Sequence, residues 1–191
     1  MVAHGFNANP ERNWFPWLID QYQPGIVSIP RLPDPTAAEL EPWVTTLTAA
    51  LGDPDEETVL VGHSLGTITC LRVLERFEKP WKLGGLILVA GFYELVPEVP
   101  ALDAFTEAQV RAGTIIDNTR RRQVIGSDDD DRIIPRYTAR LARLIDAPLM
   151  IVPGQQHFSD STGVRSLPDI LPIIDEMLGS NLDDAKGDSR R

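Results

Sequence analysis

Short apolar runs recur along this chain between stretches whose apolar residues fall three and four positions apart. The runs are Gly25–Ile29, Thr58–Val61, Gly85–Val89, Gln123–Gly126 and Pro148–Val152. Most are apolar throughout rather than alternating, the pattern of strands buried on both faces of a parallel sheet. After Thr58–Val61, residues Leu65, Ile68, Leu71 and Leu74 mark one face of a helix. Leu40, Trp43, Val44, Leu47 and Leu51 mark another, and Thr36-Ala37-Ala38-Glu39 ahead of them reads as a capping box. Tyr137–Ile145 and Asp169–Leu178 predict two later amphipathic helices. Pro172 stands early in the second, where a missing N–H is tolerated. This alternation predicts an α/β fold with a mostly parallel, doubly wound sheet of about six strands and a site at the strands' carboxyl ends.

Two stretches break the rhythm. Phe92–Asn118 carries Pro97 and Pro100 and suggests one helix near Ala101–Val110, too little for a large lid. At the start, His4-Gly5 reads as a loop after a strand, yet three residues precede it where a strand normally takes about five. That strand is therefore either a stub or the end of a longer one. Residues 1–179 read as one domain, and the polar tail Ser180–Arg191 is expected to be disordered.

Composition narrows the partners. A formal net charge of −10 disfavours nucleic acid and anionic membrane surfaces. No apolar run approaches the roughly 20 residues of a membrane span, and no signal peptide is visible. Cys70, the one cysteine, falls on the predicted helix after Ser64. A cytoplasmic protein without a nucleic-acid or membrane partner is the expectation.

The chemistry concentrates in Gly62-His63-Ser64-Leu65-Gly66, a G-x-S-x-G pattern between a predicted strand and a predicted helix. A sharp strand-to-helix turn strains the central residue and needs small neighbours, here Gly62 and Gly66. It would hold Ser64 Oγ clear of the sheet at the N-terminal end of a helix, where free N–H groups favour an oxyanion. Serine needs a base, and the base an orienting carboxylate. Of the three histidines, His63 lies inside the turn and should point away from Ser64 Oγ. His4 comes too early. His157 follows the last predicted strand, which suits the chain order Ser, acid, His. The acid should lie in Ser127-Asp128-Asp129-Asp130-Asp131-Arg132-Ile133-Ile134-Pro135. One aspartate should face His157 while the others meet solvent, and position leaves Asp130 and Asp131 open. The run lacks the spacing and closing Glu of a calcium loop, so no metal or other cofactor is expected.

The chain resembles the small α/β-hydrolases typified by retinoblastoma-binding protein 9 and the bacterial YdeN-type predicted esterases. The likeness runs from about Val2 to Leu178. It rests on His4-Gly5-Phe6, Trp14-Phe15-Pro16-Trp17-Leu18, Leu32-Pro33-Asp34-Pro35 with Trp43, the Ser64 turn, the aspartate segment and His157-Phe158. The resemblance implies that the acid stands four residues before the proline, at Asp131. The family typically has glycines just before the histidine, where this chain has Gln155 and Gln156. Retinoblastoma-protein binding usually relies on Leu-x-Cys-x-Glu, which does not occur here, so that partner is not carried over.

An oxyanion hole needs two donors. Leu65 N–H is one, and Phe6 N–H in the His4-Gly5-Phe6 loop is the other. Asn7 could add a side-chain amide or be an ordinary turn residue. Phe92 and Tyr93 follow a strand end and either line the pocket or pack. Trp14, Phe15 and Trp17 are expected to pack the loop onto the sheet. The sequence thus predicts a serine hydrolase with Ser64, Asp131 and His157, acting on small carboxylic esters. Amides and thioesters use the same machinery. The alternative is a non-catalytic protein that binds a partner on the same scaffold.

Overall fold

The computed structural model describes residues 1–97 and 100–179. The expectation about Ser180–Arg191 lies outside the described residues. Five parallel strands stand in chain order: β1 (Val2–Ala3), β2 (Val59–His63), β3 (Leu83–Val89), β4 (Thr119–Gly126) and β5 (Leu149–Ile151). Helices α1 (Phe15–Asp20), α2 (Leu40–Leu51), α3 (Leu65–Arg76), α4 (Asp103–Thr106), α5 (Ala112–Asn118), α6 (Pro135–Leu144) and α7 (Ile170–Leu178) connect and cover them.

The two-residue period of a strand sorts the core into two layers. Leu60, Leu86, Leu88 and Val124 face α2, α3 and α6 through Trp43, Leu47, Leu71 and Leu141. Val59, Val61, Ile87, Val89 and Ile125 face the other way, onto Phe15 and Leu18 of α1 and Ile170 and Ile174 of α7. With apolar side chains needed on both faces, β2 and β3 are buried at every position. Burying one such Leu, Ile or Val contributes about 1.5–3 kcal/mol. The α/β expectation holds, with one strand fewer than six.

The missing strand is Gly25–Ile29. It runs beside β1 but shares a single backbone bond with it, Val2 N–H to Ser28 O (2.8 Å). A two-residue β1 offers no ladder to extend. β5 was expected to be buried throughout, yet as the edge strand it leaves Leu149 and Ile151 about two-fifths exposed. The capping box is also displaced. Residues Asp34–Ala37 instead close a turn (Ala37 N–H to Asp34 O, 2.8 Å), and Glu39 precedes the first helical residue without a side-chain cap.

Between Phe92 and Asn118, the described residues 92–97 and 100–118 include short helices packed on α3. The helix expected near Ala101–Val110 is split into a single 3-10 turn at Pro100–Leu102 and the short α4, followed by α5. Phe105 is fully buried against Trp43. The buried Arg72 of α3 donates to the carbonyls of Phe105 (3.0 Å) and Ala108, and pairs with Glu75 (2.8 Å). Glu75 in turn accepts the Arg111 N–H. Such a pair breaks only at the expense of stranding a buried charge.

Candidate active site

The loops at the carboxyl ends of β1, β2, β4 and β5 converge on one point. β2 ends in His63 and α3 begins at Leu65, so the chain reverses within Ser64. Ser64 adopts φ 54°, ψ −122°, a conformation that costs of order 1–3 kcal/mol for a residue with a side chain. Three features hold it there. Ser64 N–H donates to Val89 O (2.9 Å), and the Ser64 carbonyl accepts from Thr67 N–H (2.9 Å) and Thr67 Oγ1 (2.6 Å). A methyl group on Gly66 would overlap the Ala3 carbonyl oxygen, and one on Gly62 would lie 2.7 Å from Thr67 Cα. The small neighbours expected from the motif are thus a steric necessity.

His157 lies across from the serine. Its Nε2 is 2.9 Å from Ser64 Oγ and its Nδ1 2.8 Å from a carboxylate oxygen. That carboxylate belongs to Asp130, not Asp131. Asp130 Oδ1 accepts the backbone N–H groups of Arg132 and Ile133, both at 2.9 Å, which turns the chain tightly and aims Oδ2 at the imidazole. Asp130 is buried, whereas Asp131 points to solvent. The carboxylate paired with His157 therefore sits five residues before Pro135, one earlier than the position that the resemblance implies for the acid. A carboxylate only accepts, so His157 carries its proton on Nδ1 and offers a lone pair to Ser64 Oγ–H. Asp128 and Asp129 are exposed, as expected, but not idle. They accept backbone N–H groups of Gly154 and Gln156.

The other two histidines are buried and neutral. His63 points away from Ser64 Oγ, and its Nε2–H donates to the His157 carbonyl (2.9 Å). Burial foremost, then the neighbouring His157, pushes its pKa down to about 3. The edges and faces of Trp14 and Phe15 pack around it, with ring centres 6.1 and 5.9 Å away, so both aromatics serve packing. His4 donates from Nδ1 to Gly5 O (2.9 Å) and accepts the Leu32 N–H on Nε2 (3.1 Å). Burial lowers its pKa as well. It braces the first loop from beneath, a role that only the tertiary contact with Leu32 discloses.

That first loop rides directly over the serine. A methyl group on Gly5 would lie 2.8 Å from Ser64 Cβ and 3.4 Å from Ser64 Oγ. Phe6 follows, half-buried. Asn7 is exposed at φ 52°, its N–H taken by Pro35 O (2.7 Å). Phe92 is sealed in the core, whereas Tyr93 is half-buried. A separate cavity of 430 Å³ opens beside β1 between Leu18, Tyr22, Val27 and Ile174, and none of Ser64, Asp130 and His157 lines it. Among the described residues no group of three His, Cys, Asp or Glu side chains could hold a metal ion. Nor is any helix among them long and apolar enough to cross a membrane.

A parallel sheet with helices on both faces, a serine on a strained turn after an inner strand, and a histidine between it and a carboxylate define an α/β-hydrolase. The serine hydrolase family profile matches residues 1–176, and the chain belongs to that family. It is 36% identical over 178 residues to YdeN of Bacillus subtilis (strain 168), covering 91% of this chain and 92% of that one. The crystal structure of the B. subtilis ydeN gene product is similar with a TM-score of 0.87 at 35% identity, over 92% of this chain and 96% of that chain. Est1E from Butyrivibrio proteoclasticus with ferulic acid bound shares the fold, with a TM-score of 0.58 at 14% identity over 95% and 87% of the two chains.

Proposed function

We propose that this protein hydrolyses small carboxylic esters through an acyl-enzyme on Ser64. The observation that carries the reading is His157 bridging Ser64 Oγ and Asp130 Oδ2 at 2.9 and 2.8 Å. His157 Nε2 takes the hydroxyl proton as Oγ attacks the ester carbonyl. The imidazolium that forms is stabilised by Asp130, whose other carboxylate oxygen is held by two backbone donors. His157 then passes the proton to the leaving alcohol, and a water attacks the acyl-enzyme by the same route in reverse.

The developing oxyanion is received by the N–H groups of Leu65 and Phe6. Leu65 is the first residue of α3, where helical N–H groups have no intrahelical partner. Gly5 lets the backbone just before Phe6 approach Ser64 closely, and Asn7 and Tyr93 are the proposed substrate contacts. The described residues between Phe92 and Asn118 form short packed helices rather than a lid, which favours short acyl groups over long lipids. Fluorophosphonate labelling tests the reading. Ser64 should label in the native protein, and Ser64→Ala should neither label nor turn over a short nitrophenyl ester, with a loss of about 10⁶ in kcat. A native chain that stays unlabelled beside a reactive control hydrolase would favour a binding protein instead.

A further inference from the structure

The loop that supplies Asp130 also grips the histidine loop along its whole approach. Four successive residues, Ser127–Asp130, meet four successive residues, Gly154–His157. Gly154 N–H donates to Asp128 Oδ1 (2.9 Å), Gln155 N–H to Ser127 Oγ (3.0 Å) and Gln156 N–H to Asp129 Oδ1 (2.8 Å). The His157–Asp130 bond is the fourth contact. Ser127 Oγ–H also donates to Asp129 Oδ1 at 2.6 Å, which couples the second contact to the third.

The third contact sits on strained backbone. Gln156 and Phe158, the two neighbours of His157, lie at φ 46° and 52°. Side-chain-bearing residues resist that region, and glycine does not. Gln156 can relax by rotating the peptide plane between Gln155 and Gln156. That rotation swings the Gln156 N–H away, and Asp129 Oδ1 is the atom that holds it. The N–H and Asp129 are both exposed, so water would satisfy the donor if the carboxylate were gone. What would be lost is the direction of the peptide, and with it the placement of the next residue, His157.

We propose that Asp129 is a positioning residue for His157, holding Gln156 in the left-handed conformation through its N–H so that the imidazole stays aligned between Ser64 and Asp130. It rests on the hydrolase reading of the site. Ser127 supports it by orienting the Asp129 carboxylate, and the two donors on that carboxylate keep its pKa below the usual range.

The test compares native protein with Asp129→Ala, Asp129→Asn and the double variant Asp129→Ala/Gln156→Gly, using 4-nitrophenyl acetate and the proton NMR signal of His157 Nδ1–H. Asp129→Ala should lower kcat by about 10- to 100-fold with KM within about twofold. Asp129→Asn keeps an acceptor oxygen and should stay within about threefold of native. The double variant should recover most of the loss, because glycine holds positive φ unaided. The Nδ1–H signal should broaden in Asp129→Ala and sharpen again in the double variant. Asp129→Ala at native kcat, Asp129→Asn falling as far as Asp129→Ala, or no recovery on adding Gln156→Gly would each overturn the proposal. If Asp129→Ala does not fold, Asp129→Asn and the folded double variant decide it by the same two comparisons. If the native protein neither turns over ester nor labels with fluorophosphonate, the hydrolase reading fails. The NMR comparison still decides the positioning claim by itself.

Discussion

The serine turn and the histidine loop both hold a reactive side chain on a strained backbone, but by different means. At the serine turn the strain is confined to Ser64, and the space around it is emptied by Gly62 and Gly66 within two residues on either side. The glycines stand within five consecutive residues, although the backbone that Gly66 makes room for is that of Ala3 and the Ser64 N–H is taken by Val89 O. At the histidine loop the strained residues are Gln156 and Phe158, and neither is a glycine. Gly154–His157 is tied by hydrogen bonds to Ser127–Asp130, between 26 and 28 positions earlier in the chain, while Phe158 N–H is taken inside the loop by Gln155 O. A strained conformation can therefore be held by removing side chains or by tying down the peptide. The second route ties the proposed base to a distant loop.

The largest effect that sharpens this contrast comes from the acid. Asp130→Asn should lower kcat by about 10⁴, because an amide can favour the wrong imidazole tautomer. Asp131→Asn, on an exposed side chain, should leave kcat near native. Steady-state kinetics on the pair, with thermal midpoints to exclude unfolding, settles which carboxylate acts. Gly66→Ala attacks the other region. Its methyl group must displace the β1 backbone, and the expected loss is about 3 kcal/mol by urea unfolding.

The buried histidine next to the serine gives a smaller, pH-dependent effect. His63 has its pKa pushed down to about 3 when folded and titrates near 6.5 when unfolded. Between those values the unfolded chain binds the extra proton, so stability rises with pH and is lost as pH falls from about 6.5 toward about 3. His4 acts in the same direction. His63→Gln keeps a donor for the His157 carbonyl but cannot titrate. It should remove a slope that reaches about 1.4 kcal/mol per pH unit in the middle of that window and about half that near its upper edge, measured by denaturant unfolding at several pH values.

The smallest effect should be a gain. Gln156→Gly alone relieves the positive φ at the histidine loop and should raise stability by roughly 0.5–1 kcal/mol, offset in part by the freer unfolded chain. With Asp129 still in place, kcat should be unchanged. A fall in stability would mean that the Gln156 side chain contributes more than its backbone strain removes.

The sequence by itself determined what is encoded by neighbours. The apolar runs of β2 and β3, the period of α3 and the need for small residues beside Ser64 are all legible within a few residues, although the backbone that Gly66 clears belongs to the distant Ala3. His157 could be reached as well, since the order of strands places one late histidine at the right end of the sheet. The Asp130 register could not. Four identical side chains carry no local distinction, and the choice falls to a turn that spends one Asp130 oxygen on Arg132 and Ile133 N–H and points the other inward. Gly25–Ile29 has the composition of a strand, but a strand exists only if a neighbour offers a ladder, and β1 offers one bond. α5 passed unseen because only Ile115 of its seven residues is buried, leaving no apolar stripe to read. The roles of His4 and Arg72, and the grip of Ser127–Asp130 on the histidine loop, depend on partners at least 26 residues away. Such contacts exist only after the sheet has brought its loops together, and it is there that the tertiary structure decides what a residue does.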